Sequence, residues 1–336
     1  MEEKYRVPLI RYTRNGGRID YETADDESKA LIREVGARNL FIRHRLAELL
    51  RRLTEVGIRS VVLKGAHLIQ TAYPFGLRPV DDIDLLVDIA DFPRLATVLR
   101  DMGYEAFDVG IDQWTHLHIS NKITYSTRSA PVVPIDVHFS LGPYPYLGSL
   151  TSDVVFANTE TITMENGQTM TVLRPELLLT HLALHLFQHH FENWQVSACD
   201  IAALLRQKGD AFDWQAFGSI ADRHRLRLPI AYALRKASEL AGIDIPEEWG
   251  KRDVKAGAFE TWVFRTSSAQ RTGFDRFFIQ FVTTPGLALK WKAASQIVRP
   301  SRMFLDLHYG GSYFKYAVSA IKIAVKGLTA MGKKNR

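Results

Sequence analysis

The chain has a single cysteine, Cys199, among 336 residues. This excludes an internal disulfide and any zinc site built on cysteine thiolates, and it points to a reducing cytoplasm as the expected location. The opening MEEKYRVPLI has no apolar stretch of the kind a secretory signal needs, so none is expected. Nowhere do about 18 apolar residues follow one another, so no membrane-spanning helix is expected. Internal repeats and low-complexity linkers are absent too. The apolar share of 46% and charged share of 24% are those of a globular chain able to bury a large core.

Acidic residues are scarce in the last third. Residues 1–200 hold 20 Lys+Arg against 26 Asp+Glu, residues 201–336 hold 23 against 11, and from Thr261 onward the balance is 13 against 2 (Asp275 and Asp306). A basic C-terminal segment suits a polyanionic partner such as nucleic acid, a phosphorylated substrate or anionic lipid. The plainer reading is solubility, or compensation of the acidic half. Tyr313 to Leu328 reads as a basic amphipathic helix with Lys315, Lys322 and Lys326, able to lie on RNA, on a membrane surface or on its own protein. Peripheral membrane contact stays open, and the oligomeric state is not encoded legibly.

What the chain does have is concentrated in Val61 to Asp88, VVLKGAHLIQTAYPFGLRPVDDIDLLVD. Val61, Val62 and Leu63 form the short β-branched run of a strand buried on both faces. Lys64 and Gly65 break it, a helix is expected from Ala66 to Tyr73, and Pro74 and Gly76 stop that helix. A second strand follows, Asp82-Ile83-Asp84-Leu85-Leu86-Val87. Alternation along a strand puts Asp82 and Asp84 on one face and turns Ile83 into the core. Adjacent carboxylates repel unless a cation lies between them, and hard oxygen donors suit Mg²⁺ or Mn²⁺ with phosphate completing the shell. The turn at Gly65 and Ala66 offers backbone N–H groups and a helix N-terminus to a phosphate, and Lys64 adds a positive charge.

Leu63-Lys64-Gly65, Tyr73-Pro74, Arg78 and Asp82-Ile83-Asp84-Leu85-Leu86-Val87 resemble the bacterial family of uncharacterised nucleotidyltransferases within the DNA polymerase β-like superfamily. That superfamily's pattern is a glycine turn, a helix, an Asp-x-Asp strand and a third carboxylate further on. The resemblance covers about residues 35–205 and implies an α+β fold, a mixed sheet with flanking helices, followed by a helical C-terminal region. One departure is plain: the usual Gly-Ser turn is Gly65-Ala66 here, which leaves Lys64 to meet the γ-phosphate. The third carboxylate matches Asp136 in Pro134-Ile135-Asp136-Val137-His138-Phe139, with His138 two residues later on the same strand face. Independently of the resemblance, a carboxylate set between Ile135 and Val137 is costly to bury unless it is paired or bound to metal. The plainer alternative is a bond from Asp136 to a nearby backbone group or arginine.

Elsewhere the patterns are local. Residues 1 to about 25 look polar and irregular. A helix is expected from Asp25 or Asp26 to Glu55, with a break near Gly36. Its apolar face would include Leu40, Ile42, Leu46, Leu49, Leu50 and Leu53, with Arg43, Arg45, Arg51 and Arg52 solvated. Gly57 would cap it. A helix opening at Asp91 and Pro93 precedes three short strands, at Trp114–Ser120, Ile123–Ser126 and Val132–Phe139; His116 and His118 share a face on the first. A hairpin is expected around Asn166-Gly167, and helices at Pro175, Asp213, Leu228–Ala241 and Phe259–Arg265. On the helix after Pro175, His181, His185 and His189 recur every four residues, with His190 adjacent and Asp200 downstream, so they share a face. The family resemblance places a similar histidine-rich helix, followed by Asp200-Ile201-Ala202, beside the site, as structure or as a contact to nucleotide or acceptor.

The expected organisation is an N-terminal helical segment (1–57), a nucleotidyltransferase core (58–173), a helical region packed on it (174–250) and a basic, mainly helical end (251–336). The resemblance implies transfer of a nucleoside monophosphate from an NTP to an acceptor hydroxyl with release of pyrophosphate. The acceptor could be tRNA or other RNA, a small metabolite or a protein. Asp82, Asp84 and Asp136 would hold Mg²⁺ or Mn²⁺, Lys64, Gly65 and Ala66 would hold phosphates, and Arg78 would contact phosphate or orient the aspartates. Two other readings are a non-catalytic nucleotide-binding or scaffolding module and a metal-dependent phosphohydrolase centred on His181, His185 and Asp200.

Overall fold

A computed structural model describes residues 3–19, 21, 24–107, 122–128, 131–142, 150–188 and 194–251, with positions 257, 258, 260–262, 264, 287, 290, 291, 295, 305, 311–319 and 321. Among the described residues seven strands form one mixed sheet: β1 (Ser60–Val62), β2 (Ile83–Val87), β3 (Glu105–Ala106), β4 (Lys122–Ser126), β5 (Ile135–His138), β6 (Thr159–Thr163) and β7 (Thr169–Leu173). Their order is β3-β4-β5-β2-β1-β7-β6. β2 runs parallel to β5 and β1 parallel to β7, and the other neighbours are antiparallel. The helices are α1 (Arg6–Arg14), α2 (Asp26–Glu55), α3 (Lys64–Thr71), α4 (Phe92–Asp101), α5 (Ser152–Phe156), α6 (Pro175–Gln188), α7 (Trp194–Lys208), α8 (Trp214–Arg223), α9 (Arg227–Ala241) and α10 (Glu247–Gly250). The fold is α+β, as expected.

The sheet is apolar on both sides because helices cover both. Val62, Ile83, Leu85, Val87, Ile135 and Val137 pack with Ile42, Leu46 and Leu49 of α2 and with Leu95 and Leu99 of α4. The alternate residues Val61, Leu63, Leu86 and Leu173 pack with Leu178 and Leu182 of α6, Ile201 and Leu205 of α7, and α8 and α9 beyond. Each fully buried Leu, Ile or Val contributes roughly 1.5–3 kcal/mol of transfer free energy. By strand parity, Asp84, Asp136 and His138 point toward this second, helical layer.

Helix α2 has the expected bounds but not the expected break. Asp25 caps it, its Oδ1 accepting from the Ser28 N–H at 2.7 Å, and the helix runs unbroken through Gly36. A Cβ at Gly36 would lie 2.5 Å from the Phe75 ring, so this glycine admits the turn after α3 rather than breaking the helix. Leu40 is 54% exposed, outside the apolar face assigned to it. Arg43 is not solvated: it donates to the Ile69 carbonyl and pairs with Glu165 at 2.6 Å. Both differences follow from what packs against α2, which periodicity does not report.

The N-terminal segment is also more ordered than its polarity implies. α1 buries Pro8, Leu9 and Thr13, and Arg206 of α7 donates to the Thr13 carbonyl at 2.9 Å. The hairpin forms as expected, with Gly167 at φ +82°, and Asp213 caps α8 through the Ala216 N–H at 2.8 Å. The strand expected at 114–120, with His116 and His118, lies outside the described residues, as do His189 and His190 and most of the basic C-terminal segment. There, 313–319 is helical through Ser319.

Candidate functional site

The first element of the site is the turn from β1 into α3. The chain reverses at Lys64, whose φ of 42° is left-handed, a conformation that costs a non-glycine residue of order 1–3 kcal/mol. The helix runs from Lys64 to Thr71, two residues earlier than expected. Gly65 does not supply the unusual dihedral. Its role is closeness: a Cβ there would meet Val80 at 3.1 and 3.3 Å and the Arg78 Nη2 at 3.7 Å.

The second element is the register of β2 on β5. Asp84 pairs with Asp136 and Leu86 with His138, so the parallel ladder sets two carboxylates and an imidazole on one face. β4 adds Thr124 opposite Asp136 and Lys122 opposite His138 on that same face. Asp84 Oδ1 accepts from Lys64 Nζ at 2.7 Å and contacts His138 Nε2 at 2.9 Å. Asp136 is engaged at both oxygens, by Lys122 Nζ at 2.6 Å and by the Thr124 hydroxyl at 2.6 Å.

The donor atoms of Asp84, Asp136 and His138 all lie within 4.8 Å of one another, the group among the described residues that could hold a metal. Two hard carboxylates and an imidazole at that spacing fit a divalent cation. His138 completes this set, where the sequence pattern had put Asp82. Asp82 precedes the first residue of β2, so strand alternation does not fix its direction, but it lines the same cavity.

Charge in the site is uneven. Burial and the neighbouring Asp84 carboxylate push Asp82 up to about 7. Burial acts on Asp84 in the same direction, but the Lys64 ammonium and the His138 hydrogen bond outweigh it and hold this carboxyl well below the usual range. Burial lowers His138, partly offset by Asp84.

A cavity of about 340 Å³ joins these residues to the helical layer. It is lined by Lys64, Gly65, Asp82, Asp84, Lys122 and Asp136 on the sheet side and by Arg6, Leu182, His185, Val196, Ser197 and Asp200 on the helical side. His185 Nδ1 lies 3.3 Å from the Ser197 hydroxyl. His181, one turn earlier, is 6% exposed, and neither of its ring nitrogens has a hydrogen-bond partner among the described residues. Burial pushes it far toward the neutral form.

Arg78, expected to contact phosphate or to orient the aspartates, is paired with Asp200. Its Nε and Nη2 donate to Asp200 Oδ1 and Oδ2, each at 2.8 Å, and Tyr73 donates to Oδ1 at 2.8 Å. The guanidinium is thus committed to a buried clamp that ties the segment before β2 to α7, with one edge on the cavity wall. The same clamp removes Asp200 from any metal centre with His181 and His185, so the phosphohydrolase centre is not assembled among the described residues. Lys122 and Thr124 escaped the sequence reading. The signal that would have found them is strand parity on β4 once its pairing with β5 is known. Ala66, buried behind Gly65, adds no side-chain function.

A family model described as an uncharacterised nucleotidyltransferase matches residues 25–242. No curated protein matches the chain. Among solved structures, an antigenic nucleotidyltransferase-like protein from Paracoccidioides brasiliensis is similar at 16% identity over 61% of this chain and 92% of that one, with a TM-score of 0.34.

Proposed function

Because the chain belongs to the uncharacterised nucleotidyltransferase family, we propose that it moves a nucleoside monophosphate from an NTP to an acceptor hydroxyl and releases pyrophosphate. The observation that carries this reading is the in-register pair Asp84 and Asp136 on parallel strands, facing a cavity entered by Lys64. We take residues 58–173 as the catalytic core and 174–250 as the layer that closes it.

Asp84, Asp136 and His138 would hold a divalent ion, Mg²⁺ or Mn²⁺, with Asp82 at the phosphate side. Such an ion supplies charge to phosphate oxygens and lowers the pKa of a bound hydroxyl. The remaining work falls to the chain. The acceptor oxygen bonds to the α-phosphorus as the bond from that phosphorus to the β-bridging oxygen breaks. The hydroxyl proton passes to Asp136, and pyrophosphate leaves. Lys64 and the backbone N–H groups at the start of α3 face the departing phosphates and stabilise their growing charge. Arg78 positions the segment carrying Asp82 through Asp200. His185 lines the helical side, where nucleotide or acceptor is seated, and His181 lies buried one turn away on the same helix.

The basic last third supports an anionic acceptor such as an RNA end. The test is pyrophosphate release from each of the four NTPs with Mg²⁺ in the presence of RNA, protein or metabolite fractions. Label transferred to one fraction by the wild type and not by Asp84→Asn is the expected result. Equal transfer by both would overturn the assignment.

A further inference from the structure

We propose that Lys64 and Lys122 are exchangeable counter-ions: each holds one metal-binding carboxylate in the free protein and moves to the phosphate chain when a metal–nucleotide complex enters. The inference rests on the reading of the site given above and adds an order of binding to it. The carboxylates should take up a divalent ion poorly alone and well when phosphate arrives with it.

The geometry argues for this from both sides. Asp136 has a donor on each oxygen, Lys122 on Oδ2 and Thr124 on Oδ1. Asp84 Oδ1 is shared between Lys64 and His138. Mg²⁺ bonds oxygen at about 2.0–2.1 Å, and an ammonium 2.6 or 2.7 Å from that same oxygen would face it as a like charge at close range. An ion that takes Asp84 Oδ1 or Asp136 Oδ2 therefore displaces the ammonium held there. The hydroxyl of Thr124 and the imidazole of His138 carry no obligatory charge and can stay. The lysines can move: each head sits on a flexible four-carbon stem, and both line the cavity. The Lys122 side chain is 41% exposed, which leaves it room to swing. Lys64 reaches Asp84 from the start of α3 and lines the cavity, so a phosphate that enters it comes within reach of the ammonium. A triphosphate brings oxygens of the same hardness as the carboxylates, so the displaced ammonium groups gain new partners as they lose the old.

The test is Mn²⁺ titration of the full chain without nucleotide, read by electron paramagnetic resonance of the free ion. It would use the wild type, Lys122→Met, Lys64→Met and Lys122→Arg, with circular dichroism to verify folding. Affinity for a non-hydrolysable NTP analogue with Mg²⁺ is measured alongside. Removing one competing charge is expected to tighten Mn²⁺ binding by about tenfold or more in each Met variant and to weaken the analogue, whereas Lys122→Arg retains the weak binding of the wild type. Equal Mn²⁺ affinity in wild type and both Met variants would overturn the exchange and leave the metal reading standing. No Mn²⁺ binding in any folded variant would overturn both.

Discussion

Arg78 and Asp200, 122 residues apart in sequence, meet as a buried ion pair with two parallel contacts of 2.8 Å. The pair joins the loop that delivers the aspartate strand to the helix that roofs the cavity. It makes the sheet and the helical layer interdependent at the point where chemistry is proposed.

Breaking this pair from one side leaves a charge in the interior. Asp200→Ala is expected to destabilise the protein by about 3–5 kcal/mol, because Arg78 stays buried and charged. Arg78→Lys is expected to lose a large part of that as well, since an ammonium cannot span both oxygens. Urea unfolding of the two variants checks the prediction. A loss under about 1 kcal/mol in both would show that the clamp is not structural.

Catalysis should separate from folding at Asp84. Replacing it by Asn removes the charge while keeping the shape, so pyrophosphate release is expected to fall on the order of a thousandfold or more in a variant that circular dichroism shows to be folded. Chelation of divalent ions should abolish the same activity in the wild type, and re-addition should restore it.

Two glycines should respond oppositely to alanine. At Gly76 the backbone is left-handed (φ +78°), and a Cβ would lie 2.4 Å from the Ile32 carbonyl oxygen, which cannot retreat without bending α2. Gly76→Ala is expected to cost more than about 1 kcal/mol. At Gly36 the obstacle is the ring of Phe75, itself 53% exposed and able to swing away. Gly36→Ala is expected to be neutral or to gain up to about 1 kcal/mol in helix propensity. Thermal melts of the two variants read the contrast directly.

Stability should fall on mild acidification because of buried imidazoles. Burial lowers His67 to about 4, with Lys208 adding to the shift. Folded His67 thus resists protonation, while the unfolded chain takes the proton as pH drops below about 6.5. The stabilising contribution is complete above that value, declines through the window from 6.5 to 4 and is constant below it; the full loss is about 3 kcal/mol. His181 and His138 are lowered in the same sense. His67→Asn should therefore flatten the slope of unfolding free energy against pH in that window without removing it. An unchanged slope would count against the burial argument.

Much of the architecture is written in short windows of sequence. The caps at Asp25 and Asp213, the stop at Gly57, the Asn166-Gly167 hairpin and the Asp82–Asp84 spacing each depend on a few neighbouring residues, because turn chemistry and side-chain periodicity are local properties. The family likeness rests on the same windows. What they could not report was partnership over distance. Whether Arg43 faces water, whether α1 forms, which carboxylate sits opposite Asp84 and which cations answer it all depend on contacts between remote segments. Lys122 belongs to the site only because β4 pairs with β5 in one register, and a shift by a single residue would turn it to the other face. The sequence by itself determined most of the elements and named the aspartates. The tertiary structure alone decided that two lysines hold them and that Arg78 is bound to Asp200, because strand register and buried charge pairing are settled by packing across the whole chain.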